Sequence, residues 1–287
     1  MESLSELFEQ ARVAQALDLP RKLAPDRHPN RDFFVADILD WALKGDRASM
    51  EHPFFSLSKK PDTRIRRYEH NGSSITVEPG PHGMPTIWDK DILIYAVSQL
   101  VEASNQGRPI NRTVRLTAHD LLVVTNRSTG GRAYDLLAAA FDRLKGTVIK
   151  TDIRTGGVRQ RQGFNIIDYW KIVERNPANS RMVAIEMTLS EWLYNAVVGR
   201  EVLTLSRDYF RLDGGLERRL YELARKHCGH QKTWIVGLDL LHKKSGSSAS
   251  LWKFRQLVKQ VAHDSRLPEY ALAYEAEVDQ VMFTRRA

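Results

Sequence analysis

One order of elements is written twice along this chain, and that repeat constrains the fold more than any other feature. Asp89 stands at the N-cap of a helix 90–103, in which Ile92, Leu93, Tyr95, Ala96 and Leu100 recur at helical spacing. A strand Thr113–Leu116 leads to Thr117, which caps a helix through Val124. A turn rich in Ser, Thr and Gly, Arg127–Gly131, opens a helix 132–145 that Gly146 ends. Strand 147–153, the turn Arg154-Thr155-Gly156-Gly157 and strand 158–172 complete the first pass. The second pass has a helix 216–228 with Leu216, Leu220, Leu223 and Ala224 inward, then strand 233–236 and a helix 238–244. The turn Ser245–Ser248, a helix 249–264 and a hairpin across 270–285 follow. Strand 182–187, helix 189–198 and strand 202–206 lie between the two passes. Helix, strand, helix, turn, helix, hairpin predicts an α+β fold: two tandem winged-helix domains, a helix-turn-helix variant.

The repeat does not reach the N-terminus. Leu4, Leu7, Phe8, Ala11, Ala14 and Leu17 predict an amphipathic helix that ends before Pro20, and residues 20–31 (PRKLAPDRHPNR) read as a linker. A second short helix is expected over 33–44, with Phe33, Phe34, Ile38 and Trp41 on one side. From 53 to 78 the signals turn to β, with Asn71-Gly72 as a hairpin cue. The expected domains are a helical extension and linker (1–31), a first winged helix (32–199) and a second (200–287).

Charge bears on the partner. Lys and Arg number 43 against 35 Asp and Glu, a formal +8, and the excess is unevenly placed. Residues 1–60 carry nine basic and ten acidic side chains, residues 108–175 thirteen and six, and residues 211–244 eight and four. Two cationic blocks inside segments that read as folded favour a polyanionic partner, because concentrated cations release counterions from a phosphate backbone. No apolar run approaches the ~20 residues that cross a bilayer. The acidic start MESLSELFEQ lacks a basic region followed by an apolar one, and a single cysteine, Cys228, allows no internal disulfide. Both fit a cytoplasmic protein with no membrane partner.

The helix-turn-helix order makes the third helix of each pass the candidate reading element. In helix 249–264 the stripe Leu251, Phe254, Leu257, Val258, Val261 faces the core. The opposite face shows Ala249, Trp252, Gln256, Lys259 and His263, flanked by Lys253 and Arg255. Lys243 and Lys244 precede it, and Ser247, Ser248 and Ser250 suit phosphate contacts at a helix start. Gln, Lys and Arg have the donors and reach for base edges, whereas the commoner fate of a charged helix face is plain solvation. Helix 132–145 shows Arg132, Asp135, Ala139, Asp142 and Arg143 outward, and its aspartates would oppose a phosphate backbone. Its surroundings are basic: Arg127, Ser128, Thr129, Arg132, Lys145, Lys150 and the wing positions Arg154, Arg159 and Arg161. Backbone positioning and dimerisation are expected there, base readout in the second half. The second hairpin tip (Glu275, Glu277, Asp279) is acidic and is not expected to enter a groove.

Catalytic signals are weak. No glycine is followed by lysine, which excludes a phosphate-binding Gly-x-x-x-x-Gly-Lys loop. No His-x-His pair of the metal-holding kind found in nicking enzymes occurs, and no Gly-x-Ser-x-Gly elbow. Asp89-x-Asp91 could bind Mg²⁺, although such a pair at a helix start more often caps it. His227, Cys228 and His230 have zinc-type side chains but no fourth ligand at metal spacing, so Cys228 reads as a small buried residue. No catalytic residue, metal or cofactor is expected.

Three runs carry a resemblance: MEHPFFSLSKKPD (50–62), TIWDKDILIYAVSQL (86–100) and LTLSRDYFRLDGGLERRLYELARKHCG (203–229). They resemble the plasmid replication initiator protein A family, itself similar to two-winged-helix plasmid initiators that bind iterons. The resemblance spans roughly residues 30–285. It implies a non-enzymatic protein that binds direct repeats at a plasmid origin, opens the adjacent duplex, helps load the host helicase and represses its own promoter. It further implies a homodimer in equilibrium with monomer, base readout over Ser248–Lys259, and backbone contacts over Arg127–Arg132 and Arg154–Arg161. The alternatives are a winged-helix repressor without initiation activity, and a nicking endonuclease or primase. Gln15-Ala16-Leu17-Asp18-Leu19 faintly resembles a sliding-clamp-binding peptide, with a docking helix the plainer reading.

Overall fold

A computed structural model describes residues 23–28, 53–70, 73–155, 158–174, 182–199, 204–228 and 231–286. The expected helices at 4–17 and 33–44, the turn residues Asn71-Gly72 and Gly156-Gly157, the clamp-like peptide and His230 lie outside the described residues. The chain divides into two compact units, Asp26–Leu205 and Ser206–Ala287, the second also taking the segment up to Pro25.

In the first unit α1 (Lys90–Asn105) buries Ile92, Leu93, Tyr95, Ala96 and Leu100, as its spacing requires. β3 (Thr113–Thr117), α2 (Ala118–Val124) and α3 (Gly131–Gly146) follow in the expected order. α3 buries Leu137, Ala140, Phe141 and Leu144, with Phe141 stacked on Trp170 at 5.7 Å. Beyond α3 the chain departs from expectation. The segment 158–172 is not one strand: β5 (Val158–Asn165) and β6 (Ile167–Glu174) belong to different sheets. β4 (Val148–Thr155) and β5 join a hairpin of β1 (Arg66–His70) and β2 (Ser73–Glu78) in a four-stranded antiparallel sheet ordered β1-β2-β4-β5. β6 and β7 (Met182–Leu189) join β3 in a three-stranded sheet ordered β3-β7-β6. The break falls at Ile166, a buried residue that belongs to neither strand, and Ile167 beyond it is buried in the second sheet. Of the hairpin 147–172 that the sequence attaches to α3 as a wing, β4 and β5 therefore belong to an inserted sheet, and β6–β7 is the hairpin that completes the order. α4 (Glu191–Val198) closes the unit, its cap Ser190 accepting the Leu193 N–H.

In the second unit a 3-10 turn (Arg207–Arg211) precedes α5 (Gly215–Cys228), β8 (Thr233–Gly237), α6 (Leu238–Ser245), α7 (Leu251–Asp264), β9 (Tyr270–Glu275) and β10 (Gln280–Arg285). Of the expected strand 202–206, residues 204–206 are described and are not a strand; Ser206 caps the 3-10 turn instead, accepting the Asp208 N–H. The antiparallel sheet is ordered β8-β10-β9, first, last, middle, as in β3-β7-β6. Gly246, at φ 68, ends α6 in the left-handed conformation that glycine adopts without penalty, and this brings the chain round to α7. Ser250 caps α7, its Oγ accepting the Lys253 N–H at 3.3 Å. Tyr209, Tyr221, Tyr270, Phe254 and Phe283 fill the core.

Candidate nucleic-acid interface

α7 presents the face expected of it. Phe254, Val258 and Val261 are buried, while Trp252, Lys253, Gln256, Lys259 and His263 are exposed. Trp252 is 66% exposed, unusual for an indole and more than any other large apolar side chain described. Ser248 and Ser250 are exposed before the helix, and Ser247 turns its Oγ to accept the Ala249 N–H at 3.3 Å. Lys243 is exposed and pairs with Asp239 at 2.6 Å. Lys244 departs from expectation: at 4% exposure it is buried, and its carbonyl accepts from Arg219 at 2.9 Å, so it does not join a surface patch.

Arg255 departs too. Its Nε donates to Asp279 Oδ1 at 3.0 Å and its Nη2 to Oδ2 at 2.8 Å, a bidentate pair across 24 residues. Tyr274 donates to the same carboxylate at 2.7 Å, and the Lys259 ammonium lies 4.9 Å from the Tyr274 ring centre. Arg255 holds the Asp279 carboxyl below its usual range, and Asp279 raises the guanidinium in turn. The acidic hairpin tip is thus joined to α7 through Asp279.

α3 is arranged otherwise. Arg132, Asp135 and Lys145 are exposed, and so is Leu136 at 55%. Arg143, expected outward, turns in: its Nε and Nη2 donate to Asp89 at 2.7 and 2.8 Å. Asp89 is 4% exposed and makes no side-chain cap to α1, accepting the Thr86 N–H at 2.7 Å instead. Arg127 likewise donates to Asp91 at 3.1 Å and to the Trp88 carbonyl. Both carboxylates of the Asp-x-Asp pair that a metal reading would use are therefore held by arginines. Ser128 and Thr129 are exposed on the turn between α2 and α3, the Ser128 Oγ accepting the Gly130 N–H at 3.3 Å. Lys150 pairs with Glu78 at 2.6 Å on the inserted sheet. Arg154 and Arg159 face each other in register on that sheet, and Arg161 faces Asp152; their side chains lie outside the described residues.

Part of the cationic block 211–244 is internal: Arg218, Arg219 and Lys244 are buried, whereas Lys232 and Lys243 are exposed. Arg218 donates to the Leu212 and Phe210 carbonyls at 2.8 and 3.3 Å, which fixes the 3-10 turn against α5. Arg219 donates to Glu222 at 3.2 Å and to the Lys244 carbonyl, and Glu222, 1% exposed, also accepts from Tyr209 at 2.7 Å. Arg211 pairs with Asp208 at 2.9 Å and donates to the Ala24 carbonyl at 2.8 Å. The run LERRLYE is thus a buried polar network, although in the sequence it looks like a solvated helix face. Cys228 is buried at the end of the same helix against the Phe283 carbonyl, and burial pushes its thiol up to about 11. His227 stacks on Trp234 at 4.3 Å. Among the described residues no group of three metal-type side chains gathers.

The sequence places Asp279 on the acidic hairpin tip but does not show its pairing with Arg255. Nothing local announces the pair, although the Asp279 φ of 50 marks a non-glycine held in the left-handed region.

Two solved structures of RctB, each covering its domains 2 and 3, resemble the fold. One matches with a TM-score of 0.57 at 13% identity over 81% of this chain and 95% of that one. The other, a selenomethionine derivative, matches at 0.61 and 11% identity over 87% and 98%. A protein of Wigglesworthia glossinidia brevipalpis, provisionally named a replication protein, is 38% identical over 259 residues, 89% of this chain and 94% of its own length. The model of the replication initiator protein A family matches residues 44–272, and the chain belongs to that family.

Proposed function

We propose that this chain is a plasmid replication initiator built on two winged helices, which binds repeated duplex sites at its origin and performs no chemistry of its own. The repeated order of helices and the two sheets ordered first, last, middle support the paired winged helices. One observation carries the DNA reading: in the helix-turn-helix of the second unit, α7 offers exposed Lys253, Gln256 and Lys259 beside Trp252, behind a serine-rich turn. Such donors reach base edges from a helix in the major groove, while Ser248 and Lys243 suit phosphate. The first unit, with Arg132 and Lys145 exposed beside Leu136, suits backbone contact and protein contact. The positions Lys150, Arg154, Arg159 and Arg161 would touch phosphate from the inserted sheet and not from a wing. Origin opening, recruitment of the host initiator and helicase, repression of its own promoter and a monomer–dimer equilibrium belong to the same reading.

Footprinting on the parent plasmid's origin tests it. Regularly spaced protection, weakening steeply with salt, is expected. Equal affinity for origin and random duplex would sink the proposal. A replication assay with the origin supplied in trans separates an initiator from a repressor, since a repressor does not sustain the plasmid.

A further inference from the structure

α7 carries a cation that is already paired within the chain. Arg255 lies half-buried at the flank of the exposed face of α7, where a guanidinium can lie along a phosphate backbone, yet Asp279 takes its Nε–Nη2 edge and balances its charge. A carboxylate and a phosphate present the same chemistry to arginine: two anionic oxygens spaced for a bidentate pair. The site is assembled from several sides. Tyr274 donates to Oδ1 and holds the carboxylate in place, and the Asp279 carbonyl accepts the Leu238 N–H at 2.9 Å. Asp279 therefore touches the start of α6, the middle of α7 and strand β9 together. The groups facing Arg255 are Asp279 and Tyr274, while Lys259 lies one turn along α7 over the Tyr274 ring.

We infer that Asp279 is a specificity-determining residue: an internal competitor for DNA phosphate that withholds Arg255 from the backbone and fixes the orientation of α7. This rests on the DNA-binding reading above. A free Arg255 would strengthen binding to every duplex alike, since a phosphate contact carries no sequence information. Held by Asp279, it adds nothing to arbitrary DNA, and discrimination is left to Lys253, Gln256 and Lys259. The pair thus raises the ratio of specific to non-specific affinity by lowering the second term.

The test measures affinity of the full-length chain for an origin fragment and for a random duplex of equal length across a salt series. Asp279→Asn keeps the shape and removes the charge. Its expected effect is several-fold tighter binding to random duplex, a log–log salt slope steeper by about 0.9, and a smaller gain on the origin fragment. Adding Arg255→Met to that variant should return the slope to the parent value. Asp279→Ser, in case the asparagine variant folds poorly, should steepen the slope in the same way. A slope for the double variant that is shallower than the parent's overturns the inference, because Arg255 would then already contact phosphate in the parent. An unchanged slope for a well-folded Asp279→Asn overturns it as well. Failure of the broader reading looks different: the parent itself would show no preference for the origin fragment.

Discussion

α3 and α7 stand at the same place in the same order of elements, and each has an arginine that the sequence puts on its outer side. They use it in opposite ways. Arg143 of α3 turns inward to a buried carboxylate at the start of α1 and ties the helix to its core. Arg255 of α7 turns sideways to a half-exposed carboxylate on the neighbouring hairpin and ties the helix to its rim. What remains outside differs accordingly: Arg132, Asp135 and Leu136 on α3, Trp252, Lys253, Gln256 and Lys259 on α7. Equivalent position does not give equivalent surface, and only the second helix keeps a row of long donors.

Breaking the inward pair has the largest expected effect. Arg143→Met leaves Asp89 buried without its cation and should cost about 3–5 kcal/mol of unfolding free energy. Denaturant titration measures this, and amide exchange should place the loss in residues 90–146. Adding Asp89→Asn should recover part of it. A loss under about 1 kcal/mol would mean that the inward pair is no stronger than an exposed one.

On DNA the two helices should separate cleanly. Lys253→Ala or Gln256→Ala should weaken origin binding by about 1–3 kcal/mol, with a smaller loss on random duplex. Arg132→Ala should weaken both equally and make the salt slope shallower by about 0.9. If Arg132 discriminates between the duplexes and Gln256 does not, the division between the units is reversed.

A smaller effect sets the acid limb of stability in the first unit. Hydrogen bonds from Arg64, and from Arg66 beside it, hold the Asp62 carboxyl well below the usual carboxylate range, against the opposing effect of burial. A depressed folded value means that the contribution is complete above the ordinary carboxylate pKa and is lost as pH falls below it. Asp62→Asn should therefore cost about 1–2 kcal/mol at neutral pH and less as pH drops below about 4, flattening the curve. Melting temperature against pH checks this. The smallest effect belongs to Cys228: with its thiol raised to about 11, it should resist alkylation at neutral pH until denaturant is added.

The order of the elements was legible because α1, α3 and α7 follow helical periodicity between clear stops, and the exposed face of α7 follows from the same arithmetic. Three things were not legible. The step Ile166–Ile167 reads as the middle of an ordinary β run, and only the strand pairing reveals two sheets. Pattern reading sends charge outward, so the fully internal Glu222 with Arg218 and Arg219 looked like part of a cationic surface. Asp279 meets Arg255 across 24 residues, and such a meeting depends on how β9, β10 and α7 pack.

The inserted sheet also bears on how the chain assembles on the ribosome. β2 near residue 75 pairs with β4 near 150, and β3 near 115 with β7 near 186, so the four-stranded sheet closes only once Asn165, and the three-stranded sheet only once Leu189, has left the exit tunnel. In the second unit every strand pairing lies between residues 233 and 285, so it forms over shorter loops. The half synthesised first is thus the one that must wait, its helices exposed to chaperones, while the half synthesised last can fold as soon as it emerges.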